Sequence, residues 1–273
     1  MCSHPTCSHD TAEKPRLVDV ARMPRRDLVR ALAGGSLVLL APACAENPVT
    51  GRSQFIVVDD AQLNQMALQA WAQERQQNPT WNNAAAQARL RRVGERIARA
   101  SGRTDLQWEF VVFDRPDKNA YVLPGGKVGF YRGIMEISET DDHLATIMGH
   151  EVGHVTGRHA AERYSREVAQ QAALQAAGAA IDSQLAMAAL GLGAQVGLSL
   201  PFSRAQEAEA DIIGVNYMRD AGYDVRQSIA FWQIMARENT GSRPPQFLST
   251  HPDPINRIAD LRTYINQRGW GPV

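Results

Sequence analysis

Beyond residue 44 the chain has no cysteine; its three are Cys2, Cys7 and Cys44. The body can therefore hold no internal disulfide and no thiolate metal site, so any metal there must use His, Asp or Glu. Charge of one sign is also missing in excess, with 29 Lys+Arg against 29 Asp+Glu and no long basic run. That argues against a nucleic-acid partner. Long apolar runs are absent too. Residues 31–43 are interrupted by Gly34, Gly35, Ser36 and Pro42, and the Ala-, Gly- and Leu-rich stretch 168–200 by Asp182, Gln184 and Gln195. Neither suits a membrane-spanning helix. What remains is 273 residues, 44% hydrophobic and 21% charged, a globular composition with room for one sizeable domain or two small ones.

The first 44 residues read as an export leader. Arg25-Arg26 precede the short apolar run, which has the length of a signal-peptide core. The paired arginines resemble a twin-arginine signal, and a general secretory signal with a basic start fits as well. Met23 is an alternative start. Ala41-Pro42-Ala43 and Ala43-Cys44-Ala45 both have the small-x-small form of ordinary cleavage. Leu40-Ala41-Pro42-Ala43-Cys44 resembles a bacterial lipobox, and lipidation at Cys44 explains why a cysteine stands there. Acyl chains on Cys44 would anchor the protein to a membrane without a spanning helix.

Residues 45–58 read as a tether with a possible first strand at 55–58, and 59–273 as a single domain. Helical periodicity appears at 59–77, with Leu63, Met66, Ala67 and Ala70 on one face, and at 82–102, with Leu90, Val93 and Ile97 inward. Residues 106–113 read as a strand, and 120–123 with 127–131 as a hairpin around Pro124-Gly125-Gly126. A long helix is expected over 141–164, helical packing segments or a lid over 168–200, and further helices at 204–220, 225–238 and 254–267. The sum is a helix-dominated α+β domain with a small sheet before the 141–164 helix.

That helix carries HEVGHVTGRHA, residues 150–160. His150 and His154 stand four residues apart on one helical face, so both rings can reach one ion. Glu151, the middle of an H-E-x-x-H pattern, is placed to contact water beside the ion without binding it. Roughly 0.01 such patterns are expected by chance in a chain of this composition. Gly157 suggests the longer metzincin pattern, but that needs a histidine at 160, where Ala160 stands. His159 is about 140° around a continuous helix from His154, so it receives no metal role. A catalytic zinc wants three protein ligands and an open position. The third is sought in SRAQEAEADIIG, 203–214, where Glu207 and Asp211 share one face and Glu209 points away. Glu207 is assigned to the metal and Asp211 to the free ring nitrogen of a ligating His. Without the upstream histidines the same stretch would read as a solvated acidic helix start.

H-E-x-x-H followed by E-x-E-A-D resembles the gluzincin metalloendopeptidases related to the CaaX prenyl protease and to HtpX, and in particular their small bacterial periplasmic lipoprotein members. NAYVLPGG at 119–126, THPDPINRI at 250–258 and ENPVTGRSQ at 46–54 resemble further segments of that family. The resemblance runs from about 46 to 268. It implies zinc held by His150, His154 and Glu207, Glu151 as general base, Asp211 as support, and His251 and Arg257 as a late motif. His251 is then the first choice for a donor to the developing oxyanion, with Tyr217 or Tyr223 behind it. Arg257 would instead pair with a carboxylate near the site. Asn119, Ala120 and Tyr121 would bind substrate backbone by strand addition.

These features imply a membrane-anchored periplasmic zinc endopeptidase, outer membrane favoured, that trims misfolded envelope proteins. The competing expectation is a chaperone or assembly factor that binds unfolded envelope proteins and rarely cuts them.

Overall fold

The computed structural model of the chain describes residues 44–176, 202–239, 245–252 and 254–271. The leader expected over 1–44 lies outside the described residues except for Cys44. So do 177–200 of the expected packing segment or lid.

Two helices precede the sheet. α1 (Asp60–Gln77) starts at Asp59, whose carboxylate accepts from the Ala61 amide, and stops at Asn78 before Pro79. α2 (Ala84–Ala100) starts at Asn83, whose side chain accepts from the Ala86 amide. Asp and Asn suit these positions because their oxygens satisfy helix-start N–H groups that have no intrahelical partner. Leu90, Val93 and Ile97 of α2 are fully buried, as its periodicity requires.

β3 (Glu109–Phe113), β4 (Ala120–Leu123) and β5 (Lys127–Tyr131) form a sheet of order β3-β5-β4. β4 and β5 are the expected hairpin, turned by Gly125 and Gly126 at φ +84. β3 runs parallel to β5, with Val111 opposite Gly129. β4 is an edge strand. Its Ala120 and Val122 join the main core with Leu144, Ile147 and Met148, while Tyr121 and Leu123 pack on the other face with Trp71, Phe113 and Tyr131. A short α3 (Arg132–Ile137), unmarked in the sequence, follows β5 directly.

α4 (Asp141–Thr156) carries the H-E-x-x-H pattern. Thr140 caps it by accepting from the His143 amide, and Asp141 and Asp142 lie in its first turn, where negative charge suits the helix dipole. All its residues from His143 to His154 are buried, so it is a central helix. α6 (Arg204–Asp220) crosses it at very close range. A Cβ on Gly153 would lie 2.8 Å from the Ala210 carbonyl oxygen, and one on Gly149 2.7 Å from that of Gly214. The missing side chains let the two backbones approach. α7 (Gln227–Glu238), α8 (Phe247–Thr250) and α9 (Pro254–Gln267) complete the layer.

The helix expected over 141–164 is broken. α4 ends at Thr156, Gly157 caps it, Arg158 takes a left-handed φ of 54, and α5 (His159–Ala176) begins at once. The apolar pattern continues across this point, which is why periodicity alone joined the two.

Residues 45–58 are not a loose tether. β1 (Cys44–Glu46) and β2 (Ser53–Phe55) pair antiparallel, and Asn47 and Gln54 are each 1% exposed. Polar side chains attach the hairpin, so no apolar period announces it. Arg52 forks onto Glu162 of α5 at 3.0 and 2.7 Å, and Gln206 of α6 donates to the same carboxylate at 3.0 Å. Burial pushes the Glu162 carboxyl up, but the hydrogen bonds from Arg52 and Gln206, with the Arg52 and Arg166 charges, outweigh it and bring it from 4.5 to about 2. A depressed folded-state pKa stabilises fully above the unfolded value and fades as pH falls through the folded one. Between pH 5 and 2 the chain should therefore lose about 2 kcal/mol from this carboxylate alone, allowing for screening at Arg52. Unfolding of the wild type and Glu162→Gln across that range checks this: the gap between them should close as the pH drops.

Candidate metal centre

α4 and α6 bring the expected residues together. Nε2 of His150 and of His154 are 3.0 Å apart. Glu207 on α6 places Oε2 3.6 Å from the first and Oε1 3.4 Å from the second. Two donors about 2.0–2.2 Å from one tetrahedral ion stand about 3.3–3.6 Å apart, so the two Glu207 separations suit a shared ion, and the 3.0 Å between the rings falls slightly short of it. Nitrogen and carboxylate donors without thiolate suit zinc. Burial, with the Arg257 charge, holds His150 well below the ordinary imidazole value, and burial, with the neighbouring His150 ring, does the same for His154. Both are thus neutral rings with a lone pair to offer.

His251 was expected as a donor to an oxyanion. Instead it stands in the cluster itself: its Nδ1 is 3.1 Å from Nε2 of His150 and 3.0 Å from Oε1 of Glu207. Ligand atoms of His150, His154, Glu207 and His251 all lie within 4.8 Å of one another. The physical reason is aromatic packing. The end of α8 seats the His251 ring between Phe247, at 4.2 Å centroid distance, and Phe202, at 5.1 Å. Its other nitrogen faces Oε1 of Glu151 at 3.4 Å.

Asp211 accepts at Nδ1 of His150, 2.9 Å away. Arg257 on α9 grips both Asp211 oxygens at 2.6 and 2.7 Å and reaches Glu207 at 2.8 Å. Its guanidinium lies 3.6 Å over Trp232. Burial opposes its charge, yet the Asp211 and Glu207 carboxylates raise its pKa above the usual value. For Glu207 burial pushes the carboxyl up, and the neighbouring His251 and Arg257 charges bring it well below its ordinary value.

Glu151 is 2% exposed and lies outside the donor group. Burial, supported by the Glu207 charge, pushes its carboxyl up to about 7 against the pull of His251 and of a hydrogen bond from the Val122 backbone. That bond ties it to the edge strand β4.

The strand expected to bind substrate backbone offers no side chains for the purpose. Asn119, Ala120 and Tyr121 are all buried. Tyr121 turns to the far face of the sheet, where Gly129 leaves room for its ring. Only the backbone of this strand could serve a substrate. Tyr217 lines a cleft of about 540 Å³ that reaches His154 and Val122, and its hydroxyl donates to Thr156. Tyr223 lies elsewhere, under Arg96.

Sequence reasoning missed two neighbours. Phe202 stacks on His154 at 3.8 Å and carries the Arg163 guanidinium on its ring. His159, left without a role, brings Nδ1 to 2.8 Å from Nδ1 of His154. The 140° separation holds only for a continuous helix, and the helix breaks at Gly157-Arg158.

The chain is 38% identical over 177 residues to the mitochondrial metalloendopeptidase OMA1 of Schizosaccharomyces pombe, covering 64% of this chain and 51% of that protein. It is 33% identical over 248 residues to the mitochondrial metalloendopeptidase OMA1 of Bos taurus, covering 81% and 46%. With the beta-barrel assembly-enhancing protease of Escherichia coli it shares 29% over 261 residues, covering 90% and 53%. The chain thus spans about half the length of these curated relatives. The family model for Peptidase family M48 matches residues 84–265, a span that holds α4, α6 and both halves of the donor cluster. On that match, the chain belongs to peptidase family M48.

Proposed function

We propose that the chain is a zinc endopeptidase that hydrolyses peptide bonds of unfolded or misfolded proteins in the bacterial periplasm, anchored through a lipid on Cys44. One observation carries the catalytic part: two histidines and a carboxylate from two helices converge with their donor atoms 3.0–3.6 Å apart, with the Glu151 carboxylate beside them and outside the donor group. The envelope assignment is supported by the leader-like first 44 residues and by similarity to a beta-barrel assembly-enhancing protease.

His150, His154 and Glu207 would hold the ion. Bound there, zinc supplies Lewis acidity that polarises the scissile carbonyl and acidifies water. Glu151 takes the proton of the attacking water at its carboxylate and hands it to the leaving amine, a role suited to a pKa near neutrality. Asp211 fixes the His150 ring through Nδ1. Arg257 holds Asp211 in turn. The outer backbone of β4 lies beside Glu151 and can pair with an extended peptide. A working site needs an open position, which three ligands from His150, His154 and Glu207 leave.

The test is to purify the chain, measure bound zinc, and follow cleavage of an unfolded protein before chelation, after it, and after zinc is returned. Cleavage should vanish and recover. Zinc-independent cleavage would refute the proposal, and suppression of aggregation without cleavage would favour the chaperone reading.

A further inference from the structure

The two candidate histidine ligands are supported in different ways. Each presents Nε2 to the shared point, so each turns Nδ1 outward. Nδ1 of His150 meets a carboxylate, Asp211. Nδ1 of His154 meets another imidazole, that of His159, at 2.8 Å. A neutral ring that offers its Nε2 lone pair carries its proton on Nδ1. His154 must then donate and His159 accept. The His159 proton is left on Nε2, a buried atom with no hydrogen-bond partner that lies 3.3 Å from Oε2 of Glu209.

Glu209 belongs to α6, between Glu207 and Asp211 but on another side of the helix. The N-terminal hairpin holds it. Thr50 Oγ1 donates to it at 2.5 Å, Arg52 Nε at 2.7 Å and Asn47 Nδ2 at 3.4 Å. The same hairpin caps the helix break, since Asn47 and Gln54 both donate to the Gly157 carbonyl, at 3.3 and 2.7 Å. Gly157 is required there. A Cβ on it would lie 2.6 Å from Nε2 of His159. The left-handed turn at Arg158 returns a fully buried His159 ring to α4. Break, glycine, histidine and hairpin converge on one nitrogen of one ligand.

We infer that His159 and Glu209 are positioning residues for the metal ligand His154, and that the hairpin at 44–55 holds this relay and so helps set the metal affinity of the site. The inference rests on the reading above that His154 binds the ion through Nε2. Support of a ligating imidazole by a hydrogen-bonded partner is commonly worth 10–100-fold in metal affinity.

The experiment uses the full chain and reads zinc affinity by competition with a chromophoric chelator, together with the visible spectrum of the cobalt-substituted protein. His159→Leu should weaken zinc binding by about 10–100-fold and shift the cobalt bands. His159→Asn, whose amide oxygen can accept where Nδ1 does, should recover most of the loss. Glu209→Gln and Thr50→Val should weaken binding in the same direction by smaller factors. Both sit on the outer side of the relay and keep the test alive should His159→Leu fail to fold. Affinities within about twofold of wild type in Glu209→Gln and Thr50→Val, with unchanged cobalt spectra, would overturn the inference. So would His159→Asn binding more weakly than His159→Leu. A wild type that binds zinc in this relay-dependent way yet cleaves nothing would refute the peptidase reading and leave the relay standing. A cleaving wild type indifferent to these variants would do the reverse.

Discussion

Glutamine in place of Glu151 should abolish peptide hydrolysis and leave zinc bound. The substitution keeps shape and volume and removes only the capacity to take a proton. Glu151 is outside the donor group, so the ligand set survives. The carboxylate is buried, and burial is what pushes it up to about 7, so a neutral amide relieves a desolvation cost and folding should hold. Loss of a positioned general base typically costs about 10²–10⁴-fold in rate. Zinc content and turnover of an unfolded protein, measured on the same preparation, check both halves. Activity above about a tenth of wild type would remove Glu151 from the chemistry.

The second large effect is on stability. Arg257→Leu should destabilise the metal-free protein by about 3–5 kcal/mol, because it strands buried carboxylates whose cation is gone. Arg257 contacts both Asp211 and Glu207 and is 4% exposed. With zinc bound, the ion supplies positive charge to Glu207, so the loss should be smaller. Urea unfolding with chelator and with saturating zinc measures the two values. Equal losses in both states would show that the guanidinium packs against Trp232 without serving as a counter-charge.

The two predictions draw on features of unequal visibility in the sequence. The donor set was legible because a helix converts spacing into facing: positions 150 and 154, then 207 and 211, fall on shared faces whatever surrounds them. The β4–β5 hairpin was legible for a similar reason, since two glycines at positive φ mark the turn. The break after Thr156 was not, because the left-handed residue is Arg158 and an arginine does not signal that conformation. With the break hidden, the sequence places His159 about 140° around a helix that does not continue. His251 is visible in the sequence as a residue, but its place beside the donor atoms is not. Its place is set by stacking on Phe247 and Phe202, which lie 4 and 49 positions away in the chain. The N-terminal hairpin reads as a tether in the sequence because hydrogen bonds from Asn47, Arg52 and Gln54 fasten it, and these leave no period.

The close crossing of α4 and α6 has a consequence for how this site tolerates change in length. Gly149 meets Gly214, and Gly153 meets Ala210, with no side chain between the backbones. These contacts index one helix against the other. One residue inserted between Asp211 and Gly214 would turn Glu207 and Asp211 by about 100° and slide them about 1.5 Å relative to that mark, away from both rings. The same insertion after Gly214 would leave the carboxylates in place. Related sites should therefore keep the count from Glu207 to Gly214 fixed and admit gained or lost residues outside it.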